Sequence, residues 1–357
     1  HMNLGYACIN MTLGSQKPRI TTNRSMIKKT FLERGIPYAS ELGIQNARDL
    51  VEIIKWNHKN NVNFFRVSSD MFPWASEYKL SEMPHYNRIK NILSGAGHLA
   101  DKYNQRITSH PGPFNVLVSP REHVVDNTIA ELSRHGEVFD MMGLSRTPYN
   151  KLNIHCNGVY GDKISAMDRF CKNFERLPES VQTRLTVEND DKASMYSVKD
   201  LMYIHERIGI PIVFDYHHHS FCTGDLSEEE ALNLAVSTWG DIKPVVHYSE
   251  SKALNENLDD PTVKRNLDAQ EKNKRKSIDE FLSQKTLPDE IPDIFVDALN
   301  EVFTGLEKTT LNVEELRESL QKGGTPCTQN DLESRFSQYL EEKTKDKTKS
   351  KIRFVVD

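Results

Sequence analysis

Seven short runs rich in β-branched and apolar residues each deliver a polar or metal-competent side chain where the run stops. In order they are LGYACIN (ending at Asn10), NFFRVSSD (Asp70), RITSHP (His110), KLNIHC (His155), RLTVEND (Glu188 to Asp190), IPIVFDYHHH (Asp215 to His219) and KPVVHYSE (His247 to Glu250). Imidazole and carboxylate donors without a thiolate pair favour Mn²⁺, Zn²⁺ or Fe²⁺ over an all-oxygen Mg²⁺ site. Donors gathered from several strand ends can share cations, activate water and neutralise charge on a phosphoryl oxygen. Hydrolysis of an unactivated phosphodiester demands an acceleration on the order of 10¹⁷. A lone acid–base pair contributes about 10²–10⁴, so a metal cluster is the route to that reaction. The same donors also serve sugar isomerisation or metal-dependent oxidation, and ligands alone do not fix the substrate. One histidine at a strand end is more often a hydrogen-bonded structural residue. It is the succession of such ends that turns the reading toward chemistry.

Helical spacing fills the intervals between these runs. Asn46 to Asn60 carries Leu50, Ile53 and Ile54 on one face, and Asp126 to Met141 repeats the pattern with Ile129, Leu132 and Val138. Ser197 to Arg207 opens on an N-cap serine, and Ser227 to Val236 opens on SEEE, whose acids favour a helix start. Strands alternating with helices predict an α/β fold of the TIM-type (β/α) barrel class, with the strand ends forming one functional rim. Seven strands leave the barrel imperfect at the eighth. The missing strand would lie within 252–290, or Ile352 to Val356 would close the barrel from a distance.

The barrel is expected over 3–251. Residues 252–290 read as a charged linker or solvated helix, with KNKRK at Lys272 to Lys276 as a candidate DNA-contacting patch. Apolar spacing returns at Ile294, Phe295, Ala298, Leu299, Val302 and Phe303, so 291–357 is expected to be a small, mostly helical appendage ending in a strand. With 357 residues, 37% hydrophobic and 27% charged, the composition is that of a soluble globular protein. It offers no apolar run of about eighteen residues for a membrane span and no secretory leader. His1-Met2 reads as a tag remnant, with Met2 as the natural start. Five cysteines without a CxxC pair read as reduced thiols in a cytoplasmic or nuclear compartment, with Cys156 a buried apolar residue. A net charge of −5 gives no global attraction to nucleic acid, so any positive potential must be local.

The blocks LGYACINMTLG, FFRVSSDMFPW, TSHPGPFN, LTVENDD, VFDYHHH and KPVVHYSE stand in the order and spacing of the UV damage endonuclease family, a resemblance covering about residues 3–251. That family is a metal-dependent barrel related to endonuclease IV. The resemblance implies a DNA repair endonuclease that cuts duplex DNA directly 5′ of ultraviolet photoproducts and related lesions, leaving a 3′-hydroxyl. It implies two or three divalent ions, Mn²⁺ foremost with Zn²⁺ or Fe²⁺ as alternatives, held by His110, His155, Glu188, Asp215, His218 and His247. Glu188, Asp215 and His247 would be catalytic. Strand alternation alone would group Asp215 with His217 and His219; the family's Asp-x-x-His spacing picks His218. Lesion recognition would fall to Tyr6 and Asn10, with Pro113 and Phe114 as the wedge where many members carry Gln-Tyr. A weakly stacked lesion is cheaper to extrude than a normal base pair, and Phe114 can refill the gap.

Three departures from the family pattern stand out. The region of Ser76-Glu77 stands where the family carries a histidine, and Glu77 is a candidate substitute ligand. Val245 stands where some members carry a lysine, with Lys243 further back. The family's last carboxylate is not recognisable after Glu250, leaving Glu250, Glu256, Asp259 and Asp357 as substitutes. Two further readings stay open: a damage-binding or regulatory homologue with weakened turnover and a protein partner at its C-terminal region, and a small-molecule isomerase or oxidase of similar fold.

Overall fold

The computed structural model describes residues 3–249 and Gln338. The expected linker, the C-terminal helical region, both candidates for an eighth strand and the substitute carboxylates after Ser249 lie outside the described residues.

Seven parallel strands follow one another in sequence order across a single sheet: β1 Gly5–Ala7, β2 Phe64–Val67, β3 Arg106–Ser109, β4 Leu152–Ile154, β5 Leu185–Glu188, β6 Ile212–Asp215 and β7 Val246–His247. Consecutive parallel neighbours require a helical crossover on one side each time. The crossovers are built from α1 Met11–Gly14, α2 Lys28–Lys59, α3 Tyr86–Lys102, α4 Glu122–Met141, α5 Lys163–Phe174, α6 Glu179–Gln182, α7 Val198–Ile208, α8 Tyr216–Phe221 and α9 Glu228–Ser237. The sheet curls. Arg106 on β3 donates through Nη1 to the carbonyl of Lys243, just before β7, at 2.7 Å, although three strands separate β3 from β7. This is the wall of a TIM-type (β/α) barrel, seven strands long among the described residues.

Alternation along the strands divides two environments. Phe65, Val67, Ile107, Leu152, Ile154, Leu185, Val187, Ile212 and Phe214 join one apolar core with helix residues such as Leu50, Ile53, Leu93, Leu132, Phe170 and Leu201. The opposite faces carry Arg66, Thr108, Asn153, Thr186 and Glu188, so the barrel interior is polar, and four of these five are buried. A polar interior must satisfy its own hydrogen bonds, and that constraint shapes the site below.

The helix starts follow their capping chemistry. Ser197 and Ser227 each form a reciprocal capping box, with Asp200 and Glu230 respectively. The first long helix differs from expectation: α2 begins at Lys28, well before Asn46. Gly35 (φ +63°) kinks it just before Pro37, which interrupts the apolar spacing that marks only its second half. Gly97 on α3 is also obligatory, since a Cβ there would stand 1.6 Å from the carbonyl oxygen of Met142. Cys8, Cys156, Cys171 and Cys222 are free thiols, with Cys156 fully buried. No described helix is long and apolar enough to cross a membrane.

Candidate metal centre

Glu188, the last residue of β5, is 1% exposed and surrounded by imidazoles. His247 Nδ1 lies 2.8 Å from Oε1, His110 Nε2 3.1 Å and His155 Nε2 3.3 Å from Oε2, and His218 Nδ1 3.6 Å from Oε1. Each histidine comes from a different strand end: β3, β4, the turn after β6, and β7. Parallel strands in register deliver them to one rim because every C-terminus points the same way. Asn153 Nδ2 donates to Glu188 Oε2 at 2.6 Å while its Oδ1 accepts from Thr186, which fixes the carboxylate plane.

Asp215 ends β6 and at once N-caps α8, accepting from the backbone N–H of His218 at 2.9 Å. One helical turn therefore sets Asp215 and His218 on the same side. His218 Nδ1 stands 3.8 Å from Asp215 Oδ2 and 2.8 Å from the carbonyl of Asn189, to which it can donate. His219 is buried against Phe214, and His217 packs on Phe221. Asn189 exchanges two hydrogen bonds with the Asp215 backbone and pins this strand end.

Two groups of donors have ligand atoms within 4.8 Å of one another: His110, His155 and Glu188, and Glu188, Asp215 and His218. Glu188 belongs to both. His247 borders them through Glu188 and lies 4.0 Å from Asp215 Oδ2. The donor chemistry fits divalent cations of the Mn²⁺, Zn²⁺ and Fe²⁺ type. So does the state of the buried ring nitrogens. His155 Nδ1 has a carboxylate oxygen of Asp190 at 3.0 Å but makes no aligned hydrogen bond. His110 Nδ1 is within hydrogen-bonding reach of the Pro111 carbonyl, which turns Nε2 onto Glu188, the outer-shell pattern common to metal-binding histidines.

Electrostatics agree with a site built for positive charge. Burial alone would raise Glu188, but the surrounding imidazoles outweigh it and hold the carboxyl well below its ordinary range. Burial lowers His155, yet Glu188 and Asp190 together lift it to about 10. Burial wins at His247, down to about 4, and at His110. In metal-free form the cluster thus keeps a proton on His155 beside Glu188 at neutral pH, while burial holds the His110 and His247 rings neutral. Asp215 is raised by burial.

Further residues complete the interior and were not singled out by type and spacing. Lys151, one residue before β4, is fully buried, with Nζ 3.5 Å from His247 Nε2, and burial lowers it to about 7. Alternation through Lys151, Asn153 and His155 on one strand was the available signal. Val245 packs with Val213 and Trp239. Glu77 is exposed and belongs to neither donor group.

The expected lesion contacts divide. Tyr6 and Pro113 line the same cavity as the six ligand candidates, a space of about 740 Å³. The Tyr6 hydroxyl donates to Asn57 Oδ1 at 2.6 Å and accepts from Asn10 Nδ2 at 2.8 Å. Asn10 is 4% exposed, and its Oδ1 caps α1 at the N–H of Leu13, so in this state it positions Tyr6 and offers little to a ligand. Phe114 is 69% exposed at the tip of its loop, which Asn157 Nδ2 ties down at the carbonyl of Pro113.

Comparisons with known proteins agree on a family. The chain is 40% identical over 259 residues to a UV-damage endonuclease of Schizosaccharomyces pombe, covering 70% of this chain and 42% of that protein. It is 33% identical over 256 residues to a UV DNA damage endonuclease of Clostridium perfringens, covering 70% and 58% respectively. The chain spans less than half the length of the two fungal relatives it matches, 42% and 43%. The crystal structure of SacUVDE superposes with a TM-score of 0.63 at 31% identity, over 87% of this chain and 100% of that one. A family profile described as UV-endonuclease UvdE matches residues 2–291. With that profile running through every strand that feeds the rim, the chain belongs to the UV-endonuclease UvdE family.

Proposed function

We propose that this chain is a metal-dependent endonuclease that cuts duplex DNA immediately 5′ of ultraviolet photoproducts. The observation that carries the reading is Glu188, a buried carboxylate shared by two donor groups at the rim of a cavity with an exposed aromatic, Phe114, on the neighbouring loop. His110, His155, Glu188, Asp215, His218 and His247 would hold two or three divalent ions, Mn²⁺ foremost. Bound there, divalent cations supply water activation near neutral pH and charge neutralisation at a phosphoryl oxygen. The chain's own residues do the rest. Asn153 and Asn189 hold the carboxylates in place, and the hydrogen-bonded Tyr6–Asn10 pair presents a tyrosine face at the cavity wall. Phe114 stacks into the space left by an extruded lesion. A protruding aromatic loop favours a polymeric ligand over a small molecule, which would be enclosed.

The test is a nicking assay with Mn²⁺ on a duplex bearing one defined dipyrimidine photoproduct, beside the undamaged duplex. The expected product is a single cut on the 5′ side of the lesion, with the undamaged strand intact. Equal cutting of both duplexes would overturn lesion specificity. A second reading, damage binding without turnover, draws on Val245 in place of a lysine and on the exposure of Glu77. Retained lesion binding with no cleavage in Mn²⁺, Zn²⁺, Fe²⁺ or Co²⁺ would favour it.

A further inference from the structure

Among the described residues, the two buried arginines, Arg106 and Arg184, are well supplied with acceptors. Arg106 donates to the carbonyls of Tyr149, Pro148 and Lys243. Arg184 donates to four carbonyls and to Asp140. Arg66 is different. It sits mid-strand on β2 with its side chain in the metal-centre cavity, and among the described residues its guanidinium makes no hydrogen bond and no ion pair, although Nε is fully buried. Its register partner on β3 is Thr108, whose Oγ1 is likewise buried without a partner among the described residues and lines the same cavity. Partners in adjacent strands stand about 4.8 Å apart and point to the same face. Two orphaned donors therefore lie side by side, two residues below His110 along β3. Burying such groups without partners is unfavourable, so they are a standing demand for an acceptor.

The occupant must be an anion. Arg66 is permanently charged and the buried Lys151 lies near enough to interact with it, so a cation would be repelled from this corner. A guanidinium presents parallel N–H groups matched to two oxygens of a phosphoryl group. We propose that Arg66, with the hydroxyl of Thr108 beside it, is the phosphate subsite of the cavity and holds the non-bridging oxygens of the DNA linkage to be cut. The proposal rests on the nuclease reading and names the substrate atoms that this side of the cavity takes.

Two measurements test it with the full chain. The first is binding of a lesion duplex in which the linkage 5′ of the lesion is either an ordinary phosphate or a neutral methylphosphonate, read by fluorescence anisotropy in Ca²⁺. The natural protein should lose roughly 10- to 150-fold on neutralisation, the range for a charge-assisted hydrogen bond. Arg66→Ala should bind both duplexes alike, and Arg66→Lys should recover part of the difference. Metal content by mass spectrometry should be the same in all three, which separates phosphate holding from a damaged metal centre. The second measurement is inorganic phosphate binding to the metal-free protein, followed by phosphorus NMR, which should be lost in Arg66→Ala. Full methylphosphonate discrimination in Arg66→Ala would overturn the assignment while leaving the nuclease reading intact. If the natural protein fails to cut DNA but Arg66→Ala alone loses phosphate, the anion subsite stands and the nuclease reading falls.

Discussion

Glu188→Gln keeps the size of the side chain and removes one charge from a position that is 1% exposed. The change also turns one acceptor oxygen into an N–H₂ group. Asn153 Nδ2 already donates to Oε2, so an N–H₂ group at that position would meet another donor, and the amide has to turn this group toward the imidazoles instead. Removing one partner from a buried charge cluster costs about 3–5 kcal/mol, which corresponds to roughly 10²–10⁴ in an equilibrium constant. Because Glu188 belongs to both donor groups, the loss should fall together on the ions that the two groups would hold. Asp215→Asn belongs to one group only and should spare the ion held by His110, His155 and Glu188. The assay is metal content by mass spectrometry after dialysis against a weak chelator, with circular dichroism as a check on folding and a competition titration for affinity. Glu188→Gln should emerge nearly metal-free and Asp215→Asn partly loaded. Wild-type content and affinity in Glu188→Gln would refute the shared-carboxylate geometry.

Phe114→Ala should leave the melting temperature unchanged, because the ring is 69% exposed, while lowering the preference for lesion over intact duplex. The loss of a base–aromatic stack is about 1–3 kcal/mol, or roughly 5- to 150-fold in the ratio of dissociation constants; an unchanged ratio in competitive gel shifts would reduce the loop to packing. Metal loading should be linked to protons with a definite sign. His155 has its pKa raised to about 10 in the metal-free protein, so it carries a proton at neutral pH that must leave before the ring can ligate. Loading near neutral pH should release about one proton, and affinity should climb with pH until the ring titrates. Calorimetry in two buffers of different ionisation enthalpy measures this, and identical heats would contradict it.

Much of the rim was legible because strand-end chemistry is local. A β-branched run followed by His, Glu or Asp specifies both the strand and the side chain at its C-terminus, and parallel order then forces those ends together. His110 and His155 needed nothing more, whereas Glu188 was singled out from Glu188 to Asp190 by the family resemblance. The choice among His217, His218 and His219 was different. Alternation pointed to His217 and His219, and only the immediate start of α8 at Tyr216 turns the spacing from two to three and brings His218 beside Asp215. The early start of α2 escaped for a related reason, since Gly35 and Pro37 break the apolar period without ending the helix.

Other features belong to no single segment. Asn10 looks like a free amide in sequence, yet the bend after β1 folds it under Tyr6 and against the N–H of Leu13, where its hydrogen bonds are consumed. Lys151 and Arg66 resemble ordinary surface cations by type; alternation with Asn153 and His155 is the one local hint for Lys151, and Val67 and Ser68 give none for Arg66. Their burial follows from the curl of the sheet, which converts one face of every strand into the lining of a cavity. The amino-acid order by itself determined which residues sit at strand ends and hence the donor types available for a metal. Only the curled tertiary arrangement decided which donors share Glu188, which polar side chains spend their hydrogen bonds on the scaffold, and which positive charges remain unspent, because desolvation and orientation depend on neighbours far away along the chain.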